Sequence, residues 1–361
     1  MNVNTARKSN IELLRFIAML LIVGNHYAGH GIMYKWDPSA MYQIWSLGSV
    51  SNKILSCILS GGGEIGVGIF FIITGYFYSE SRTIKLRRFF QQIIFYGVFT
   101  SVIGLILIFA GNDNLSFSTI LKTIAIPVTG GSWWFVTTYF FLLLMVPTIN
   151  NYLSKIENSK KLVKVLVIVF VWLFWFVLGK YAMFAELEKA IFFYTIGYYF
   201  RKFDLKIPRY RCLYLLAISA FVGVLVRFSD ISSYVLNGAN FKYTLGELLI
   251  SSVTVPICAV CLFGIFERLN IGSVSWINKI SKTTFGIYLL HDSTAGRQLF
   301  WYTLFKVDSF QYFNSWFPVL AIATIIAVFA ICSIIDLVRI KYVEPMQDKV
   351  FFKIKNFCRL D

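Results

Sequence analysis

Charged residues are scarce in this chain of 361 residues. Asp, Glu, Lys and Arg make up 14% of it, against about 25% in soluble domains, whereas hydrophobic residues make up 57%. Apolar runs recur from end to end with short polar turns between them. A membrane-spanning helix needs about 20 mainly apolar residues. The composition therefore excludes an ordinary soluble protein and predicts an all-α, polytopic membrane protein.

Cysteine is also rare, and its pattern excludes a familiar kind of site. The six cysteines lie mostly in apolar runs. Cys258 and Cys261 form a C-x-x-C pattern, but no second pair and no histidine stands nearby. Structural zinc and redox sites need such partners. We therefore expect the cysteines to be small core residues and the protein to hold no metal.

The apolar runs predict ten spans within one membrane-embedded domain, 1–361, with cytoplasmic tails at 1–10 and 340–361. The first run is too polar at its far end for a cleavable signal peptide and is better interpreted as the first span. The stretch 41–60 is open to a second interpretation, as an interfacial helix. The predicted spans are 11–30, 54–79, 89–110, 133–151, 162–180, 186–200, 212–228, 244–266, 276–302 and 315–338.

The net charge of +16 would suit a nucleic-acid partner, but the position of the charges argues against one. The basic residues lie in the turns between spans. With the N-terminus inside, roughly three Lys or Arg residues fall in cytoplasmic segments for each one outside. This bias predicts both termini in the cytoplasm of a multi-pass protein in the cell membrane. It accounts for the basic excess without nucleic acid.

The first span, 11–30, carries polar groups that lipid disfavours. Arg15 and His26 are eleven residues apart, so on a helix they share one face with a rise of roughly 16 Å. His30 is rotated about 40° from His26 and is expected near the outer surface, in headgroups or water. Alternatives are that Arg15 snorkels or pairs with Glu12, and that His26 merely bonds a neighbouring helix. Together on one stripe, Arg15 and His26 favour a polar channel.

A second stretch, "GGGEIGVGIFFIITGYF", spans 61–77. Its Gly61, Gly63 and Gly66 match G-x-G-x-x-G, but no βαβ context supports nucleotide binding. Glycines within a span more often permit close helix approach. Glu64 then stands out as a carboxylate at or near the outer membrane face.

Two later stretches add aromatic residues and the last histidine. "GSWWFVTTYFFLLLMVPTIN" opens with Trp133 and Trp134, for which an interfacial aromatic belt is the alternative interpretation. "TFGIYLLHD" places His291 inside the ninth span. Neighbours on a helix do not face each other, so we expect that His291 and Asp292 are not a dyad by themselves.

These four stretches, in this order, resemble the acyltransferase-3 family, integral membrane enzymes that move acyl groups, usually acetyl, onto extracytoplasmic carbohydrates. Arg15 and His26 match the family's R-x(10)-H motif. "GVGIFFIITGYF", which contains Tyr76, is similar to its second-span signature. "SWWFVTTYFFLLLMVPTIN" resembles the Trp-Phe segment of members near polysaccharide loci, and "FGIYLLH" resembles the late Tyr-Leu-x-His motif. The resemblance covers roughly residues 10–340.

The resemblance implies a membrane O-acetyltransferase that takes its acyl group from cytoplasmic acetyl-CoA. The implied acceptor is a hydroxyl of an extracytoplasmic or lipid-linked glycan. Arg15 is then the donor-binding residue, and His26, with an unperturbed pKa of about 6.5, is the general base. Glu64 is expected to be a second catalytic residue, which orients an imidazole or binds the acceptor. Direct transfer and a covalent acyl-enzyme both remain open. The residues expected to bind substrate are Tyr76, Trp133, Trp134 and His291.

Two positions depart from the family pattern. Gly68 stands where many members carry an acidic or amide residue, and Ser132 stands where many have a histidine. We expect no acid–base help from either position.

The competing class is a transporter or flippase for a polysaccharide or a lipid-linked sugar. Such proteins also place charged residues at mid-membrane. The lack of an internal repeat and the few prolines within the spans argue against it. A non-catalytic scaffold ranks third, because its costly intramembrane charges would lack a purpose.

Overall fold

The computed structural model describes residues 9–33, 48–128, 133–156, 158–161, 163–164, 166–167, 182–237, 246 and 249–358. Every regular element within these ranges is helical, which confirms the all-α prediction. The α-helices are α1 Ser9–Ala28, α2 Val50–Tyr78, α3 Arg87–Phe109, α4 Phe117–Ala125, α5 Trp134–Ser154, α6 Ala182–Phe203, α7 Arg209–Asn237, α8 Val255–Glu267, α9 Ser275–Ile280, α10 Thr284–His291, α11 Thr294–Arg297, α12 Phe317–Val338 and α13 Glu344–Cys358.

Short helices of other types extend or join several of these elements. A 3₁₀-helix, Ser281–Thr283, links α9 to α10. The π-helices are Gly29–Met33, Ile250–Thr254, Gln298–Leu304, Val307–Gln311 and Arg339–Val343.

Seven helices in the described ranges are long and apolar enough to cross a membrane. They match seven of the ten predicted spans, so a polytopic helical protein is supported and the count of ten is not confirmed. The predicted span 162–180 lies mostly outside the described residues. The seven helices are Ser9–Met33, Val50–Tyr78, Arg87–Phe109, Trp134–Ser154, Arg209–Ser229, Ile250–Glu267 and Phe317–Lys353.

The exposed side of α3 has the apolar character expected of a helix in contact with lipid. Ile94, Val98, Val102 and Ile106 recur every four residues, and each is at least half exposed. Residues at this spacing lie on one face of a helix. A continuous exposed apolar stripe of this kind suits contact with hydrocarbon rather than water.

The polar first helix lies inside the bundle. Helix α1 packs most extensively against α2 and also contacts α8, α9, α10 and α12. This enclosure explains how a span that carries Arg15, His26 and Glu12 is tolerated, because its polar groups face protein rather than lipid.

Glycines let α2 approach its neighbours closely. A Cβ at Gly63 would collide with the side chain of Asn25 in α1, and one at Gly66 would collide with the backbone there. Close approach is therefore confirmed for these two residues of the glycine pattern. Gly61 has open space around it and serves no such contact.

The predicted span 276–302 is not one continuous helix. Helix α10 ends at His291, and α11 begins at Thr294. Ser293 makes the break: its Oγ donates to the Leu290 carbonyl and accepts from the Gly296 backbone N–H, both at 2.9 Å. Gly296 is required there because any Cβ would collide with the Leu290 carbonyl. The prediction of a single span here is wrong for this local reason.

Candidate active site

The three histidines of the chain come together although they are far apart in sequence. His26 Nδ1, near the end of α1, lies 2.8 Å from Nε2 of His291. The rings of His26 and His30 are 5.2 Å apart between centroids. His291 is fully buried and His26 nearly so. Their cluster, here named the histidine site, consists of His26, His30, His291, Asp292 and Arg297.

Hydrogen-bond partners decide which nitrogen of His26 is available. His291 Nδ1 lies 2.6 Å from the Ile287 carbonyl, which only accepts, so His291 carries its proton on Nδ1. In the neutral ring, His291 Nε2 is then an acceptor. His26 Nδ1 must donate to it, which leaves the lone pair of a neutral His26 on Nε2. No residue that the structure describes bonds that Nε2.

Asp292 collects several donors on one oxygen. Its fully buried carboxylate accepts from Arg297 Nε at 2.9 Å and from His30 Nε2 at 3.2 Å. The same oxygen, Oδ1, lies 3.4 Å from His26 Nδ1. A buried charge needs such pairing to offset its lost hydration. Arg297 and the two imidazoles therefore hold Asp292 as a carboxylate beside the base.

The end of α10 brings two neighbouring residues to the same ring. Asp292 is the C-terminal cap of α10, and its backbone N–H still donates to the Tyr288 carbonyl at 3.1 Å. The expectation that His291 and Asp292 are not a dyad by themselves agrees with this geometry, because the two side chains meet at the ring of a third residue, His26. Both side chains point at His26 Nδ1, one as an acceptor and one as a nearby negative charge.

This arrangement suits proton abstraction by His26. An acceptor and a carboxylate on Nδ1 fix the ring orientation and stabilise the imidazolium that forms when Nε2 takes a proton. His26, His30 and Asp292 would also present three metal-ligand atoms within 4.8 Å of one another. However, Arg297 already donates to the carboxylate oxygen, so the donor set fits an ion pair better than a cation.

The sequence predicts His30 in headgroups or water, but the structure places its side chain against the histidine site. Its side chain is 24% exposed, its Nε2 faces Asp292, and its carbonyl accepts from the Tyr302 hydroxyl at 2.5 Å. It therefore supports the carboxylate from the outer side of the cluster, in parallel with Arg297.

Arg15 lies on the same helix but outside the histidine site. Its Nη1 donates to Glu12 Oε2 at 2.9 Å, which is the contact expected from the alternative interpretation of this residue. The hydroxyl of Ser281 donates to the same Glu12 oxygen. The guanidinium side chain is 22% exposed, and its other N–H groups bond none of the described residues. They are available to an anionic ligand.

An aromatic wall connects the level of Arg15 with the level of His26. Tyr139, on which the charge of Arg15 acts, stacks on Phe135 at 5.5 Å between ring centroids. Phe135 meets Tyr288 edge to face at 5.4 Å, and Tyr288 lies 6.4 Å from His26. These rings form a series of contacts between the two polar residues.

Glu64 is not brought into hydrogen-bond contact with His26. Its Oε1 accepts from Ser251 at 3.4 Å, and the cations that act on it are Lys189 and Arg227. It lies in a separate cavity, here named the glutamate pocket. The lining of this pocket includes Glu64, Phe71, Trp134, Glu186, Lys189 and Ser251.

The aromatic candidates separate into different places. Trp133 is 1% exposed, and its Nε1–H donates to the Leu289 carbonyl at 3.1 Å, so it braces α10. Trp134 is 40% exposed and lines the glutamate pocket. Tyr76 is buried near the far end of α2, with Arg201 5.5 Å above its ring. The described hydrogen bond of Trp133 and the described ring contact of Trp134 involve no residue of the histidine site.

Asp292 and Arg297 are the site residues that the sequence did not single out. A signal was present, because "HDSTAGR" places three ionisable residues within seven positions between apolar runs. Ionisable residues inside a membrane span usually indicate a functional site. The five described cysteines are buried and free, as expected for core residues.

A helical bundle with lipid-facing apolar helices and an internal histidine–carboxylate cluster defines an integral membrane protein with the groups for acid–base chemistry. Residues 8–336 match the family model for acyltransferase-3, described as an acyltransferase domain. The chain therefore belongs to the acyltransferase-3 family and is a membrane acyltransferase. Comparison with curated proteins and with solved structures finds no match.

Proposed function

We propose that the protein is a membrane O-acetyltransferase. It moves the acetyl group of cytoplasmic acetyl-CoA to a hydroxyl of an extracytoplasmic or lipid-linked glycan. The observation that carries this proposal is the orientation of His26: its Nδ1 is engaged by His291 and Asp292, and its Nε2 lone pair is available. Membership of the family supplies the acyl-transfer chemistry.

In the proposed reaction, His26 Nε2 takes the proton of the acceptor hydroxyl as the hydroxyl oxygen attacks the thioester carbonyl carbon. The carbon–sulfur bond breaks, and the proton passes to the departing thiolate. The products are an acetyl ester and free CoA. The negative charge of Asp292 stabilises the imidazolium between these two proton transfers.

The donor enters from the cytoplasmic side in this proposal. Arg15 offers its available N–H groups to a phosphate or another polar part of CoA. The aromatic wall of Tyr139, Phe135 and Tyr288 then lies along the pantetheine arm, which brings the thioester toward His26. The rise of roughly 16 Å between Arg15 and His26 suits an extended arm.

Glycan analysis tests the proposal. The acetyl-ester content of cell-surface glycans would be measured by mass spectrometry in cells with the gene, without it, and with the gene encoding His26→Ala. We expect acetyl esters only with the wild-type gene. Equal ester content in all three strains would reject an acetyltransferase role. A transporter role would instead change the amount of exported glycan while the esters per sugar stay constant.

A further inference from the structure

The last helix, α13, packs beside the point where the apolar part of α3 begins. The Gln347 side chain donates to the Gln91 carbonyl at 3.0 Å, and the Gln91 side chain donates to Asp348 Oδ1 at 3.0 Å. Arg88 Nε lies 3.6 Å from Glu344 Oε1. These contacts follow the first turns of a helix that is long and apolar enough to cross a membrane. Helix α13 therefore lies at the level where that span meets the membrane surface.

The acidic residues of this region face α3. Between residues 339 and 353 the two carboxylates are those of Glu344 and Asp348. Glu344 pairs with Arg88, and Asp348 lies 3.3 Å from Arg87 Nη2. Both carboxylates are partly buried by this contact. The negative charge of the helix is therefore paired on its inner side.

The lysines of the same region lie on the other side. Lys341, Lys349 and Lys353 are exposed, and none of them has an ion pair with a residue that the structure describes. Lys349 and Lys353 are about 40° apart around the helix axis, so they share one side of it. The sequence 354–361 adds two basic residues and one acidic residue, so it does not reverse this sign.

Apolar side chains share the exposed side with these lysines. Tyr342, Met346 and Val350 recur every four residues and are 58%, 65% and 57% exposed. A helix with exposed apolar residues and lysines suits the membrane interface. Its apolar side chains contact the acyl chains, while the lysines extend to the headgroups. In water, the same apolar side chains would lack a cover.

We propose that this basic face binds anionic phospholipid at the membrane surface in preference to zwitterionic phospholipid. The lysines donate to the headgroup phosphate and are attracted by the net negative charge, which a zwitterionic headgroup lacks. The proposal goes beyond the proposed function and does not depend on it. The basic face is formed by Lys341, Tyr342, Met346, Lys349, Val350 and Lys353.

A fluorophore beside the basic face tests the lipid preference locally. The full-length chain, in a cysteine-free background with Pro345→Cys, would carry a bimane label at this exposed position. It would be placed in nanodiscs of phosphatidylcholine and phosphatidylglycerol in equal parts. Nitroxide-labelled phosphatidylglycerol or phosphatidylcholine would then quench the label. We expect phosphatidylglycerol to quench about fivefold more strongly, roughly the attraction of one lysine to an anionic surface.

Lysine variants connect this preference with the basic face. The triple variant Lys341→Gln, Lys349→Gln and Lys353→Gln should bring the quenching ratio of the two lipids close to one. The matched control replaces three exposed lysines away from α13 and should keep the wild-type ratio. Its substitutions are Lys155→Gln, Lys160→Gln and Lys164→Gln. Lys353→Glu alone serves as a second variant if the triple variant is not monodisperse by size-exclusion chromatography, and it should also lower the ratio.

Three results would overturn the proposal. The first is equal quenching by the two lipids in the wild-type background. The second is a ratio that the variants of the basic face leave unchanged, or that the control lowers equally. The third is weak quenching by both lipids, which would mean that a second copy of the chain or a soluble partner covers this side of α13. None of these measurements involves acetyl transfer, so the proposed function is tested separately.

Discussion

At the scale of single residues, two neighbours share the proton on His26 Nδ1. His291 Nε2 accepts it at 2.8 Å, and Asp292 Oδ1 lies 3.4 Å away as a negative charge. The first contact fixes the ring, and the second favours its protonated form during reaction. In the proposed reaction, His291 and Asp292 therefore position and stabilise His26 rather than react themselves.

Replacement of Asp292 separates these roles. Asp292→Asn keeps the shape but removes the charge that stabilises the imidazolium, so we expect kcat to fall about 10²-fold. The KM for acetyl-CoA should stay within a factor of about three, because the donor does not bind there. Kinetics on protein of matched size-exclusion profile would check this, with Asp113→Asn as the exposed control. An unchanged kcat would remove Asp292 from the mechanism.

Arg15 is expected to act on the donor alone. Arg15→Ala should raise the KM for acetyl-CoA tenfold or more, about the loss of one charge-assisted contact to phosphate. Arg15→Lys should recover only part, since lysine lacks the planar fork of donors. Donor saturation curves would be compared with those of Arg209→Ala, an exposed cationic position. If Arg15→Ala showed wild-type kinetics, Arg15 would have only a structural role as the partner of Glu12.

At the scale of helices, glycine contacts hold α2 against α6. A Cβ at Gly75 would collide with the backbone of Tyr194, and one at Gly197 would collide with the backbone of Ile72. Backbone cannot move aside as a flexible side chain can. These contacts place Glu186 and Lys189 of α6 beside Glu64 of α2.

Alanine scanning of two glycines in α2 tests this packing. Gly75→Ala should destabilise the protein by roughly 1–3 kcal/mol, the usual effect of overpacking. Gly61→Ala, in the same helix, meets nothing within 4 Å and should be neutral or slightly stabilising. Thermal unfolding in detergent would compare the two. Equal midpoints for both variants would show that the α2–α6 contact is looser than described.

Elements of this kind were predictable to different degrees. Long apolar helices such as α3 and α12 follow from hydropathy, because a lipid-exposed span must be apolar along its length. The break after His291 could not be predicted from hydropathy, because hydropathy does not reveal a serine that caps a new helix. The convergence of His291 on His26 was equally hidden, because residues that far apart meet only through tertiary packing.

The same distinction applies to the candidate site. Arg15 and His26 could be paired from spacing alone, because both lie on one helix. The sequence predicts that Glu64 orients an imidazole or binds the acceptor, but no spacing fixes a contact between Glu64 and His26. The structure separates them, since Glu64 turns toward Ser251 instead. The position of a residue along a helix is therefore predictable from sequence, whereas the neighbour that its side chain meets depends on how the helices pack.

At the scale of the whole molecule, orientation in the membrane remains a prediction. The basic bias places both termini and the turn 201–211 in the cytoplasm. Single cysteines introduced at Asp361 and at Arg209, in a cysteine-free background, should react with an impermeant maleimide only after the cells are opened. A cysteine at Lys122 should react in intact cells. Labelling of position 361 in intact cells would reverse the topology and the donor side with it.

In this predicted orientation, the proposed reaction joins a donor in the cytoplasm to an acceptor outside it, so that only the acetyl group crosses the membrane. Arg15 lies toward the cytoplasmic end of α1 in this orientation, and the histidine site lies toward the outer end, with the aromatic wall between them. Neither substrate then has to cross the membrane entirely. The acetyl group alone is passed from one side to the other.

His26 is the proposed base of this transfer, and the relative activities of two histidine variants test that role. Acetyl-ester formation would be measured in nanodiscs for wild type, His26→Ala and His30→Ala at matched monodispersity. We predict that His26→Ala loses 10²–10⁴-fold, the usual contribution of a general base. His30→Ala should retain most activity, because Arg297 still holds Asp292. An essential His30 with a dispensable His26 would contradict the account.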